Sequence, residues 1–344
     1  MRFPKEQVGL LVCASLAVLV GCEPPVRTDL TFQRAVQLLA AGSPRSAVPL
    51  FMQVIASTPD GPEPHALLAL AYALDLQSDR AVQQAAEARR HRPAAEGPGW
   101  EGVATGLAEM AEHRPGEATG HLEQVIAGAP GASPIAWAAR QWRTMALILA
   151  NDQARSAASL EELIDHGPTR MTALLWAVVI HSQRGQKAQA LQRLTLAAQE
   201  AYGAAGRDLD KEAAADLDDQ GLYDAAIATV ARGDLAKGDS LFRILLQRNP
   251  DAGDAPVWLA LLAGAGGEWT SARGQLRDAC QAGSLKSQAL ANHLLSVAYA
   301  LENRPDMMIQ SVVTGQRLLC RGGLPAHITS QPKPDAVWFS DRMK

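Results

Sequence analysis

Cysteines, histidines and carboxylates are the side chains of this 344-residue chain with the chemistry to form bonds or hold metals. Among four Cys, Cys22 stands apart: it closes the run Leu19-Val20-Gly21-Cys22, at the end of an apolar stretch from Val8 to Val20 that begins behind Arg2 and Lys5. Thirteen apolar residues are too few for a membrane helix, which needs roughly 20; basic, then apolar, then small is the order of an export signal. No other residues assemble into a catalytic pattern. There is no His-Glu-x-x-His helix, no Gly-x-Ser-x-Gly elbow, no Gly-rich loop ending in Lys-Ser/Thr and no Cys pair at zinc spacing. The eight His are scattered, with His113 and His121 flanking a turn without an acidic partner pattern. The chain therefore reads as a non-enzyme with no metal and no cofactor.

The segment ending in Cys22 resembles a bacterial lipobox. That resemblance implies removal of residues 1–21, a diacylglyceryl thioether and an N-acyl group on Cys22, and a chain held at a membrane by its lipids. Glu23, in place of Asp, implies no retention at the inner membrane, so the expected location is the bacterial outer membrane, facing the periplasm. Removing Arg2, Lys5 and Glu6 with the signal leaves a net charge of about −5 with His neutral. Charge and compartment both disfavour a nucleic-acid partner. Cys280 and Cys320 remain in a compartment that permits disulfides, and either pairing or two buried free thiols fits the sequence.

What positions these residues is a repeat. A small residue, an apolar one four later, another three after that and a Pro five further on recur as Ala47, Phe51, Val54, Pro59; Ala81, Ala85, Ala88, Pro93; Ala118, Leu122, Val125, Pro130; Ser156, Leu160, Leu163, Pro168; and Gly238, Phe242, Leu245, Pro250. Ala190, Leu194, Ala197 and Ala272, Leu276, Ala279 are two further copies without the Pro. Spacings of four and three share one helical face, and Pro stops the helix. Five residues before the first small residue of a copy stand Gly42, Gly185, Gly233 and Gly267, with Asn151 and, in a degenerate last copy, Asn303. These types tolerate the left-handed turn between antiparallel helices. The upstream helix carries a small residue at one place: Ala35, Ala69, Gly106, Ala226, Ala260 and Ser296. At 47% hydrophobic but 5% aromatic, the composition suits helices packed through such residues.

On these marks, with anchors 34, 37, 38, 34, 48 and 34 residues apart, the chain resembles the tetratricopeptide repeat (TPR). The resemblance implies an all-α, right-handed α-solenoid of about seven to eight TPR-like helix hairpins. It divides the chain into a signal (1–21), a lipid-anchored linker (22–27), repeats 1–5 (28–202), an acidic insertion (203–219), repeats 6–8 (220–320) and a tail or cap (321–344). It also implies an inner groove lined by the first helices and filled by protein or peptide partners. The places where peptide-clamping members carry Lys, Arg and Asn hold Val36, Leu70, Val103, Leu107, Met145, Val179, Ile227 and Leu261, so no carboxylate clamp is expected.

Trp142, Trp176 and Trp258 each lie 14 residues before their anchor, and with Trp100 and Tyr223 they form a candidate aromatic ladder for a partner in that groove. The alternative is that the rings fill space between helices. The insertion carries Asp208, Asp210, Glu212, Asp216, Asp218 and Asp219 against Arg207 and Lys211, the composition of a solvated linker, of a docking surface for a basic partner or of a divalent-cation site built from carboxylates, although no calcium-loop spacing is present. Gly322, Gly323, Pro325, Pro332 and Pro334 are expected to break any helix in the tail, leaving Trp338-Phe339 to cap the last hairpin. The expected role is a lipid-anchored periplasmic scaffold or adaptor for envelope assembly, with a glycan or cell-wall polymer binding module as the alternative.

Overall fold

A computed structural model of the protein describes residues 30–93, 97–131, 133–166, 170–203 and 217–323. The described residues hold sixteen α-helices and no strands. They form eight hairpins: α1 (Leu30–Ala40) with α2 (Pro44–Ser57), α3 (Pro62–Leu74) with α4 (Ser78–His91), α5 (Trp100–Ala111) with α6 (Pro115–Gly128), and α7 (Pro134–Leu149) with α8 (Gln153–His166). The second half adds α9 (Arg170–Gln183) with α10 (Lys187–Gly203), α11 (Asp219–Ala231) with α12 (Leu235–Arg248), α13 (Ala255–Ala265) with α14 (Trp269–Ala279), and α15 (Leu285–Leu301) with α16 (Pro305–Gly323). The expected all-α solenoid of helix hairpins is the architecture observed. No described helix is long and apolar enough to cross a membrane.

The repeat marks have direct structural meaning. The apolar and small anchors of the second helices are buried, from Ala47, Phe51 and Val54 to Ala272, Leu276 and Ala279, and α2, α4, α6 and α14 bury little else. α2, α4, α6, α8 and α12 end two residues before their Pro. The last turn of α4 holds Arg89, Arg90 and His91, cations where the helix dipole is negative. Three first helices are buried on all sides, without a break from Pro64 to Leu74, from Met171 to Ile180 and from Ala289 to Ala300, whereas α1 buries only Phe32, Ala35 and Leu39. Gly106 shows why small residues sit in these helices, since a Cβ there would lie 2.9 Å from Leu122 Cγ.

Each of the eight hairpin turns has a left-handed residue at this place, and the Gly and Asn pattern explains six of them, in hairpins 1, 4, 5, 6, 7 and 8. In hairpins 2 and 3 the same place is taken by Leu76 (φ 59°) and His113 (φ 60°), types that pay for this conformation. Hairpin geometry, fixed by burial on both sides of the turn, overrides local preference there.

The array is not uniform. Up to α7, each first helix packs on the next, α1 on α3, α3 on α5 and α5 on α7. After the acidic insertion, most of which (204–216) lies outside the described residues, α13 packs on α9 and α10, two hairpins back. Finally α15 lies against α7, α9 and α13, and α16 reaches α3 and α5, so the last hairpin touches elements far back in the array. Here the structure corrects one expectation: Gly322 and Gly323 do not break the helix, because α16 runs through Gly323. Trp338 and Phe339 lie outside the described residues.

Candidate functional site

The expected aromatic ladder is interior. Trp100, Trp142, Trp176 and Trp258 are all 7% exposed or less, so no row of rings is open to a partner. The apolar first-helix positions Leu70, Val103, Leu107, Met145, Val179, Ile227 and Leu261 are buried too, and Val36 is partly so. The cause is topological: a groove lined by first helices stays open only if nothing enters it, and α15 packs on α7, α9 and α13. Of the ladder residues, the structure joins only Tyr223 and Trp258. Trp258 Nε1 donates to Tyr223 Oη at 3.2 Å, and Phe242 lies between them in sequence and against both, edge-on to Tyr223 (5.9 Å) and stacked on Trp258 (6.4 Å). Burial first, then the charge of Asp254, raises the Tyr223 hydroxyl well above its ordinary range, so it remains a neutral structural hydrogen-bonding group.

Cys280 and Cys320 are free thiols, each partly buried. Burial pushes Cys280 up to about 12, which leaves no thiolate at neutral pH. Cys22 lies outside the described residues. His121 does meet an acid, at 3.5 Å from Glu109, a contact across α5 and α6 that spacing along the chain did not reveal. Burial, then Glu117, raises the Glu109 carboxyl, while burial, then Arg89, lowers His121. Among the described residues no three potential ligands come together to hold a metal ion.

The ends of the array meet. Gln316 Nε2 donates to Ala40 O at 2.9 Å, Arg317 Nε donates to Gly42 O at 3.0 Å, and Cys320 Sγ lies 3.9 Å from Ala40 O. Ala40 O is a carbonyl that α1 leaves unpaired at its C-terminus and Gly42 O belongs to the turn after it, so the last helix supplies donors to the end of the first helix and to its turn. No sequence signal marks this seam, because its donors and acceptors are 275 to 280 residues apart.

Beside the seam is a cleft of about 510 Å³ between the α1–α2 turn, the α3–α4 turn and α16. Its lining is unlike the apolar interior: Arg45, Arg317 and Arg321 stand over a floor that includes Leu74, Leu76 and Val313. Asp75 is the cleft's one carboxylate, and it is held by Arg45 Nε at 2.5 Å. Strained Leu76 thus forms part of this wall, apolar where Gly or Asn would leave it bare.

Fold and seam together define an all-α helical-repeat protein closed by its own last hairpin. No family model matches the chain, and no curated protein matches it. Among solved structures it is similar to the crystal structure of the P58(IPK) TPR domain, at 15% identity over 92% of each chain, with a TM-score of 0.23. At that score the likeness carries no functional argument.

Proposed function

We propose that this protein is a non-catalytic, lipid-anchored periplasmic scaffold or adaptor for protein partners in an envelope assembly machine, of the kind that builds pili, secretion systems or the outer membrane. The observation that carries the reading is a run of eight helix hairpins, devoted to stacking, that begins at Leu30 shortly after the lipobox-like Leu19-Val20-Gly21-Cys22. The seven residues between Cys22 and Leu30 span at most about 25 Å when extended, which would hold the array close to the lipid surface. Because the ladder positions of the first helices are buried, partners would meet the surface instead, where the second helices expose Met52 (53%) and Val82 (41%) and the starts of α1 and α15 expose Leu30 and Leu285. Buried aromatics do not favour a glycan site, which needs exposed rings.

Cell fractionation of the full chain and its Cys22→Ser variant tests the anchor: membrane association lost in the variant supports it, and equal distribution of the two overturns it. Photo-crosslinkers at Met52 and Val82 test the scaffold. Adducts with envelope proteins at these places, and none from a crosslinker at buried Trp176, are the expected result. Absence of protein adducts at both outer positions would overturn it.

A further inference from the structure

The cleft at the seam is cationic, part apolar and shared by both ends of the array. Arg321 has no ion-pair or hydrogen-bond partner among the described residues, and Arg317 spends only its Nε, on Gly42 O. Ser43, the N-cap of α2, makes no side-chain capping bond, so its hydroxyl is uncommitted, whereas the backbone around it is largely spent: Pro44 has no N–H, and Ser43 N and Ser46 N donate to Leu38 O and Ser43 O. With Asp75 neutralised by Arg45, two guanidinium charges in the cleft remain unbalanced. The guanidinium groups of Arg317 and Arg321 on α16 and the Ser43 hydroxyl opposite them suit an anion that accepts on several oxygens at once, and phosphate is the best match to guanidinium forks. Leu74, Leu76 and Val313 supply an apolar wall that inorganic phosphate would leave uncovered.

We propose that this cleft binds the phosphate of an organic phosphate ester, and that the bound ester staples α16 to the α1–α2 and α3–α4 turns. The site is independent of the scaffold reading, since it requires neither the lipid anchor nor a protein partner. The ester could be a soluble molecule or a phospholipid headgroup, and the two sources share the same contacts.

Calorimetric titration of the full chain with glycerol 3-phosphate, and flotation with phosphatidylglycerol or phosphatidylcholine vesicles, at physiological salt to screen nonspecific attraction, tests the proposal. Expected is binding that weakens roughly tenfold or more in Arg321→Ala, a variant that breaks no contact in the protein, and that persists in a control, Arg90→Ala, on the outer face of α4. Bound ester should also raise the melting temperature as its concentration rises and slow amide exchange in α16. Response to glycerol 3-phosphate identifies a soluble ester. Response to phosphatidylglycerol vesicles alone identifies a lipid headgroup. Binding of neither, or binding lost equally in Arg90→Ala, or binding untouched by Arg321→Ala with Arg317→Ala, would overturn the site.

Discussion

Replacing Gly42 by Ala tests whether the array closes on itself. Gly42 has φ 63°, and a Cβ on it would lie 2.7 Å from Val313 O and 2.8 Å from Arg317 N, both backbone atoms of α16 that cannot swing away. The variant therefore carries two penalties: left-handed strain of roughly 1–2 kcal/mol for a residue with a Cβ, and overlap at a packed interface of about 1–3 kcal/mol. Gly185 provides the control. It occupies the same turn position at φ 69°, but a Cβ there meets nothing within 4 Å, so Gly185→Ala carries strain alone. Both substitutions restrict the unfolded chain alike, and that effect cancels in the difference. Urea unfolding followed by circular dichroism should show Gly42→Ala less stable than Gly185→Ala by about 1–3 kcal/mol, with amide exchange accelerated in α16 only for Gly42→Ala. Equal losses, together with unchanged exchange in α16, would refute the closure.

Three further substitutions address other parts of the fold. His113 is exposed at φ 60°, so His113→Gly should raise stability by about 0.5–1 kcal/mol, read as a higher urea midpoint. Gly106→Ala should lower it by up to about 2 kcal/mol, because the overlap of the added methyl with Leu122 Cγ at 2.9 Å outweighs the gain of about 0.5–1 kcal/mol from Ala in a helix. His293 on α15 is 1% exposed with neither ring nitrogen paired, and burial lowers it to about 4. The unfolded chain, with His near 6.5, then binds more protons than the folded one, so stability is full above pH 6.5 and falls as pH drops toward 4, by about 3 kcal/mol from this group. His293→Leu should flatten that part of the pH profile, and a profile identical to the parent's would show that His293 does not cause it.

The helix hairpins were legible because their signals are local. Ala81, Ala85 and Ala88 lie within two turns of each other, and Pro93 stops their helix nearby, so periodicity and one imino acid suffice. The turns at Leu76 and His113 were not legible from residue type, although their places five residues before Ala81 and Ala118 follow from the phase of the repeat. What the sequence left out is long-range. Trp142 and Trp176 occupy equivalent places whether a groove is open or filled, and only the position of α15 decides between rings that meet a partner and rings that meet the protein's own core. Arg317 and Gly42 likewise carry no mark that they touch.

Filling the interior also changes what a partner can contact. An open solenoid offers its first helices, with backbone-close apolar surface, to an extended peptide. Here α9 is buried from Met171 to Ile180, and a peptide would have to displace α15, whose Leu290, Leu294, Leu295 and Val297 are each buried at 5% exposure or less. At about 1.5–3 kcal/mol for each fully buried aliphatic side chain, releasing even these four would cost about as much as the whole stability of an ordinary domain, roughly 5–15 kcal/mol. Recognition by displacement is therefore far costlier than recognition on the outer helices, and under the proposed scaffold role a partner should be engaged with the seam closed. Consequently a disulfide that pins α16 to the α1–α2 turn should leave partner crosslinking at Met52 and Val82 intact, and loss of those adducts in the pinned protein would show that the array has to open to work.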